Sequence, residues 1–368
     1  MYESRNLSVD AAFQSWLAAH ASRQMKMMPL TLVQLSDEEL KENPWSPVEA
    51  SLFVHAALSF TPRVVAIAPV PDWPDADTSQ LELLHNQLLR TPKGLLGAEL
   101  GFPEDTVVLP PMQAVPVLRN VIGSASRLPE FPIIARQPPE ELRLAVTLGF
   151  FEPVNMSTRT SPNRAPLVFR YRGFVVPSFA LQAAMLWYGV TPGEVAVVPG
   201  SHIALGKTLR IPVDAAGTMA VDFAVPFTRM TLGDLMLAAE QSSEVVVSLK
   251  DGIALLARTD AAVRTLPLAG GRLGSRDEWT AAAIATLQAG QFPRRAGVPV
   301  EAALIVGIGA LGWLRWRRGT LQTAVLGAGV FTAYLLLALG VFALWLVVLP
   351  LLLPAGLMLF MILFRWLA

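Results

Sequence analysis

Short apolar runs recur along most of the chain, each bounded by residues that start helices or make turns. They lie at 30–34, 64–68, 94–98, 195–198, 219–223 and 245–249. Between them stand clear helix starts. Ser46-Pro47-Val48-Glu49 combines a capping box with proline at the first helical position. Ser79-Gln80-Leu81-Glu82 and Ser275-Arg276-Asp277-Glu278 repeat the box, and Thr231-Leu232-Gly233-Asp234 is a related cap. The first three runs alternate with the first two helices, which predicts a βαβαβ unit and a parallel sheet covered on both faces. Later segments look antiparallel. Residues 205–211 and 219–223 flank Pro212-Val213-Asp214-Ala215-Ala216-Gly217, a predicted hairpin with Gly217 at its tight corner. Between the two halves, residues 103–139 hold eight of the 29 prolines, so any helix there must be short. This stretch is expected to be an irregular insertion packed on the sheet through Val115, Val117, Leu118, Val121 and Ile122.

The pattern changes near the C-terminus. No charged residue occurs from 321 to 364. At about 1.5 Å per residue that is roughly 66 Å of helix, twice a hydrocarbon core of about 30 Å. Two spans are therefore expected, 321–342 and 345–364, turning near 343–344, with a third before them at 300–314 that carries Gly307, Gly309 and Gly312. The predicted fold class is α/β: a mixed sheet with flanking helices over residues 1–297, then a three-helix transmembrane segment over 298–368. Arg315, Arg317 and Arg318 follow the first span and Arg365 follows the third, whereas Arg294 and Arg295 precede the first. The positive-inside rule places the larger group in the cytoplasm. The large domain is then extracytoplasmic, on a multi-pass inner-membrane protein. Residues 1–29 hold Glu3, Arg5, Asp10, Arg23 and Lys26 and no apolar core, so neither signal peptide nor signal anchor is expected there.

Composition agrees with this division. Hydrophobic residues make up 53% of the 368 positions and charged residues 16%, with a mean hydropathy of +0.46. That is too apolar for an ordinary soluble chain or a disordered one. Basic and acidic residues balance at 29 each, so no basic field exists to neutralise phosphates and no nucleic-acid partner is expected. Without cysteine, disulfides and thiol catalysis are excluded.

Candidate chemistry is sparse. Gly206-Lys207-Thr208 has the ending of a phosphate-binding loop, but the first glycine of that motif falls on Ser201, and Leu209-Arg210-Ile211-Pro212 follows where a helix must open. A turn of a β-hairpin accounts for it. His20, His55, His85 and His202 are isolated, without the i+3 or i+4 partner that a metal site uses. Asp37-Glu38-Glu39-Leu40-Lys41-Glu42 reads as a solvated turn, Ser275 as a helix cap, and Asn155-Met156-Ser157 as a chance glycosylation sequon. Met25, Met27 and Met28 with Trp16 read as packing. No catalytic, cofactor or metal site is expected, no ligand can be named, and the chain is not expected to be an enzyme.

The order of the pieces resembles a known family. Leu30-Thr31-Leu32-Val33-Gln34-Leu35-Ser36-Asp37-Glu38-Glu39-Leu40 leads to Pro44-Trp45-Ser46-Pro47, and then comes Val64-Val65-Ala66-Ile67-Ala68. Gly149-Phe150-Phe151, Arg164-Ala165-Pro166-Leu167 and Pro177-Ser178-Phe179-Ala180-Leu181-Gln182-Ala183-Ala184 come next. Ile211-Pro212-Val213-Asp214-Ala215-Ala216-Gly217, then Met230-Thr231-Leu232-Gly233-Asp234-Leu235, and the three spans complete the series. This resembles the second type of CHASE domain, an extracytoplasmic sensory module of bacterial cyclases and histidine kinases. It departs from that pattern at Ser243-Glu244-Val245-Val246-Val247-Ser248, which lacks the family's glycines, and at Trp279-Thr280, where relatives carry a His-Ala pair. The resemblance implies a membrane-anchored signal-input domain. With no output domain visible in the chain, the partners expected are the lipid bilayer and either a membrane protein or a second copy. The alternative is a non-catalytic structural or assembly subunit of a membrane complex.

Overall fold

A computed structural model of the protein describes residues 12–14, 16–21, 23–42, 45–103, 115–153, 163–241, 249–260, 263–267, 273–297, 299–300, 302–304, 306–307, 310 and 320–351. The chain divides into two compact units. One comprises Met25–Thr160 and Arg164–Phe292, the other Met1–Gln24, Ser161–Asn163 and Pro293–Ala368.

The larger unit is built on a seven-stranded sheet of β1 (Met28–Leu35), β2 (Val64–Ile67), β3 (Gly94–Gly101), β4 (Ile133–Arg136), β5 (Thr147–Phe151), β6 (Phe227–Thr231) and β7 (Ile253–Arg258). The order is β6-β1-β7-β2-β3-β4, with β5 also paired to β3. Every pairing is parallel except that of β4 with β3, so the mixed sheet is dominated by parallel strands. Helices α1 (Pro47–Leu58), α2 (Thr78–Leu88), α3 (Phe179–Tyr188), α4 (Leu232–Glu240) and α5 (Arg276–Ala289) cover both faces. Successive side chains along a strand point to opposite faces, so these apolar strands feed two cores. Leu30, Leu32, Val64, Ala66, Leu95 and Leu255 meet Phe179, Leu181, Ile284 and Leu287 of α3 and α5. Val33, Leu35, Val65, Ile67, Leu96 and Leu256 meet Phe53, Val54, Leu84, Leu88 and Leu235 of α1, α2 and α4.

The expected alternation of β1, α1, β2, α2 and β3 is present, but β1 and β2 are not neighbours. Strand β7 lies between them, with Leu255 opposite Leu32 on one edge and Ala66 on the other. Ile253-Ala254-Leu255-Leu256-Ala257 has little β-branched content, and burial on both faces makes it a strand. The neighbouring run at 245–249 lies outside the described residues up to Ser248. The described part of the proline-rich stretch, from 115 on, holds more regular structure than its composition suggests. It supplies β4 and the short strands Asn120–Val121 and Glu130–Phe131, burying Leu118 while Ile122 is exposed. Two further local expectations change. Asp77, not Ser79, caps α2, its Oδ1 accepting the Ser79 N–H at 3.0 Å, and Asp37–Glu42 is a short helix.

Gly206-Lys207-Thr208 does connect a hairpin, between His202–Leu205 and Leu209–Pro212, with Gly206 at φ 56°. The segment at 212–217 is a tight corner whose flanking strands part company. Thr218–Ala220 pairs with Arg164–Pro166 and not with Leu209–Pro212. Asp214 makes the corner: its Oδ1 accepts the N–H groups of Ala216 and Thr218 at 3.0 and 2.9 Å, and its Oδ2 sits 3.0 Å from Arg164 Nε.

In the smaller unit, α6 (Thr320–Trp345) runs without a break through 343–344, where a turn was expected. The chain reverses after it: Leu346 takes φ 55°, and Val347–Val348 pairs in parallel with Arg294–Arg295. A third span therefore cannot start at 345. Tyr334, Ala338 and Phe342, four apart on one face of α6, pack with Phe13, Leu17 and Leu349, and the Tyr334 hydroxyl donates to the Pro350 carbonyl. Among the described residues, α6 is the one helix long and apolar enough to cross a membrane. Arg315–Arg318, Arg365 and the sequon at 155–157 lie outside the described residues.

Gly217 has φ 72°, and a Cβ there would meet Val168 Cγ2 at 2.6 Å and Leu128 Cδ2 at 2.8 Å. Gly217→Val should cost about 1–3 kcal/mol from strain and overpacking, read as a lowered midpoint in chemical unfolding. An unchanged midpoint would remove this account of the corner.

Candidate functional site

A hairpin of Arg264–Pro267 and Leu273–Ser275 delivers the chain to the start of α5. There Ser275 Oγ accepts the Glu278 N–H at 3.1 Å and Glu278 Oε2 accepts the Ser275 N–H at 3.1 Å, a reciprocal capping box. Carboxylates on this first turn also suit the positive end of the helix dipole. The three residues after the cap then reach across the sheet. Glu278 Oε1 lies 3.1 Å from Arg229 Nη1 on β6. Asp277 Oδ2 accepts the Arg258 N–H at the end of β7 at 3.0 Å. Arg276 Nη1 donates to Glu99 Oε2 on β3 at 3.0 Å, its guanidinium 4.1 Å from the Phe151 ring centroid at the end of β5. One helix turn thus bridges β6, β7, β3 and β5. Open parallel sheets bind ligands beyond the carboxyl ends of their strands, and Arg258 and Phe151 are the last residues of theirs.

Negative groups outnumber positive ones on this ridge. Arg258 is committed to Asp260 by a two-pronged contact, Nε to Oδ1 at 3.0 Å and Nη2 to Oδ2 at 2.9 Å. Arg276 serves Glu99 and stands 3.6 Å from Asp277 Oδ1. Glu152, the residue after β5, is 7% exposed, and no hydrogen bond reaches its carboxyl among the described residues. Burial pushes its pKa up to about 7, with the Arg276 charge opposing the rise. Burial also raises that of Asp277, against the Arg276 charge, the Arg258 N–H and the Arg258 charge. Removing charge from water raises a carboxyl's pKa, and a nearby cation lowers it.

The other sequence candidates are scattered. His20 Nδ1 is 2.9 Å from the Trp16 carbonyl, its ring stacked on Trp16. His85 Nδ1 is 3.0 Å from the Glu141 carbonyl, His202 Nδ1 is 3.0 Å from Ser201 Oγ, and His55 lies exposed on α1. Among the described residues, no three His, Asp or Glu side chains gather as a metal ion requires. Met25 packs on the larger unit's core, Met27 is exposed, and Trp16 belongs to the other unit. Trp279 packs against that core too, and the Thr280 hydroxyl donates to the Arg276 carbonyl at 2.8 Å. Sequence reasoning saw Ser275–Glu278 only as a cap and passed over Glu99, Glu152, Arg258 and Asp260. Their shared signal is a charge at or just after the end of an apolar run.

Comparison with protein-family models, curated proteins and solved structures finds no match to this chain. The ridge itself must therefore carry the functional reading.

Arg276→Met should destabilise the larger unit by about 3 kcal/mol, because buried carboxylates lose their cation. Adding Glu99→Gln should recover part of that loss. A double-mutant cycle by urea unfolding measures both, and independent effects would contradict the shared role.

Proposed function

We propose that this chain is a membrane-anchored signal-input module, with its α/β unit outside the cytoplasm and three membrane crossings that end on the opposite side. It acts by binding and coupling rather than by turnover, and passes its signal to a partner in the membrane. The observation that carries this reading is the path of α5. Its first turn holds the charged ridge together. Its last residue is followed by Gly290 in a left-handed conformation, and four residues later the chain reaches Arg294–Arg295, paired with the segment that leaves α6. A rearrangement at the ridge has a covalent route of one helix to the membrane segment, which a two-state coupling needs.

Three crossings are supported by the direction of that pairing. Arg294–Arg295 and Val347–Val348 are parallel. A chain that enters the membrane after 295, returns as α6 and then runs parallel to its first entry is set to enter again. Leu336, Leu337, Leu344 and Trp345 are exposed on α6, as lipid contact and an interfacial tryptophan require. The alternative, an assembly subunit, draws support from Gly307, Gly329 and Gly340, around which a Cβ would meet nothing within 4 Å, leaving room for a partner helix.

Because the chain has no cysteine, sidedness can be read from one introduced thiol. Ser126→Cys, at an exposed position of the α/β unit, should react with a membrane-impermeant maleimide in intact cells. Reaction only after lysis would reverse the assignment.

A further inference from the structure

We propose that the ridge at the carboxyl edge of the sheet is a proton-binding sensor site, in which the Glu152 carboxyl takes up and releases the proton and Arg276 divides its charge between Glu152 and Glu99. This rests on the signal-input reading for its purpose and names the stimulus.

The charge arrangement around Glu152 carries the inference. Strand β3 brings Glu99, held between Arg136 and Phe151 in its two pairings. Helix α5 brings Arg276 and Asp277, and Asp277 ties Arg258 and its partner Asp260 to the same group. Helix α3 offers no cation at its start, where Phe179 stacks on Phe151 at 4.8 Å between centroids. The helix Glu140–Ala145 carries Glu140, Glu141 and Arg143, but it leads into the other end of β5, about 16 Å along the strand. The Arg276 charge acts on Glu152 while its guanidinium is paired with Glu99 and stands beside Asp277. Its carboxylate is nearly dry and without a hydrogen-bond donor among the described residues. An ionised group in that position keeps little of the solvation it had in water, and a second carboxylate already occupies the cation. Among the described residues no three side chains gather as a metal ion requires. The cation that compensates Glu152 is the proton.

The consequence is mechanical as well as electrostatic. While Glu152 is neutral, Arg276 stays with Glu99. When it ionises, two carboxylates compete for a guanidinium that belongs to the first turn of α5, so the pull falls on the helix that leads to the membrane segment. The raised pKa of about 7 puts the change in the neutral range. The sign follows from linkage. With the folded value above the ordinary 4.5, the folded state holds the extra proton between 4.5 and about 7. Stability from this group is full below that window and is lost as pH rises through it.

The test uses the full chain in detergent micelles, labelled with glutamate carrying carbon-13 in its side-chain carboxyl. One resonance should titrate near pH 7. It should disappear in Glu152→Gln, whose melting temperature should exceed that of the wild type above pH 7 and match it near pH 5. In Glu99→Gln, Arg276 is released to Glu152, and the midpoint should fall by at least about one unit, a tenfold loss of proton affinity. If every glutamate titrates in the ordinary range, if the neutral resonance survives in Glu152→Gln, or if Glu99→Gln leaves its midpoint in place, the proposal is overturned. The Glu99→Gln measurement stands even if Glu152→Gln does not fold. Sidedness does not affect a titration in micelles, so this result and the thiol-labelling result can fail independently.

Discussion

The larger unit depends on Ile253–Arg258 being dry on both faces and hydrogen-bonded along both edges. Backbone N–H and C=O groups buried in a core must find partners, and a strand between β1 and β2 gives this segment partners on each side. Ile253, Leu255 and Ala257 face one core, and Ala254 and Leu256 the other. Remove the strand and β1 and β2 face a gap, with helices above and below left without a floor. The same strand places Arg258 at its carboxyl end, where the backbone N–H meets Asp277. Fold and candidate site therefore share one constraint: the position of β7 decides where α5 can begin.

Ion pairs held this close to a core add little net stability over apolar packing, because desolvation offsets the attraction. What the ridge contributes is a choice among arrangements. Glu278, Asp277 and Arg276 each have a different strand to reach, so sliding α5 along its axis would strand three charges together. The ridge nevertheless carries Glu99, Glu152, Asp260, Asp277 and Glu278 against Arg229, Arg258 and Arg276, and within it burial raises the pKa of Glu152 while the Arg276 charge opposes the rise.

A helix satisfies its own backbone, which is why an apolar segment such as α6 can tolerate a lipid environment. Where α6 ends, the carbonyl of Leu346 and the backbone of Val348 are taken up by Arg294 and Ala296 at 2.8 and 3.0 Å. Those bonds set the direction of the chain after the helix, pairing Arg294 and Arg295 with Val347 and Val348.

Local rules in the sequence were sufficient for much of this. Capping at Ser46, Thr231 and Ser275, the apolar runs at 30–34, 64–68 and 94–98, and the left-handed corner at Gly217 all follow from neighbours within a few residues, where capping geometry and side-chain periodicity act. The long uncharged stretch likewise announced an apolar helix. The tertiary structure decided the rest. It set β7 between β1 and β2, split the two strands around 212–217, carried α6 past 343–344, and drew Glu99, Glu152, Arg258 and Arg276 together. Each of these depends on partners far away in the chain. Burial and strand pairing are collective, so an Ala-Leu segment becomes a central strand, and a lone glutamate a buried acid, only once the surrounding sheet and helices have closed around it.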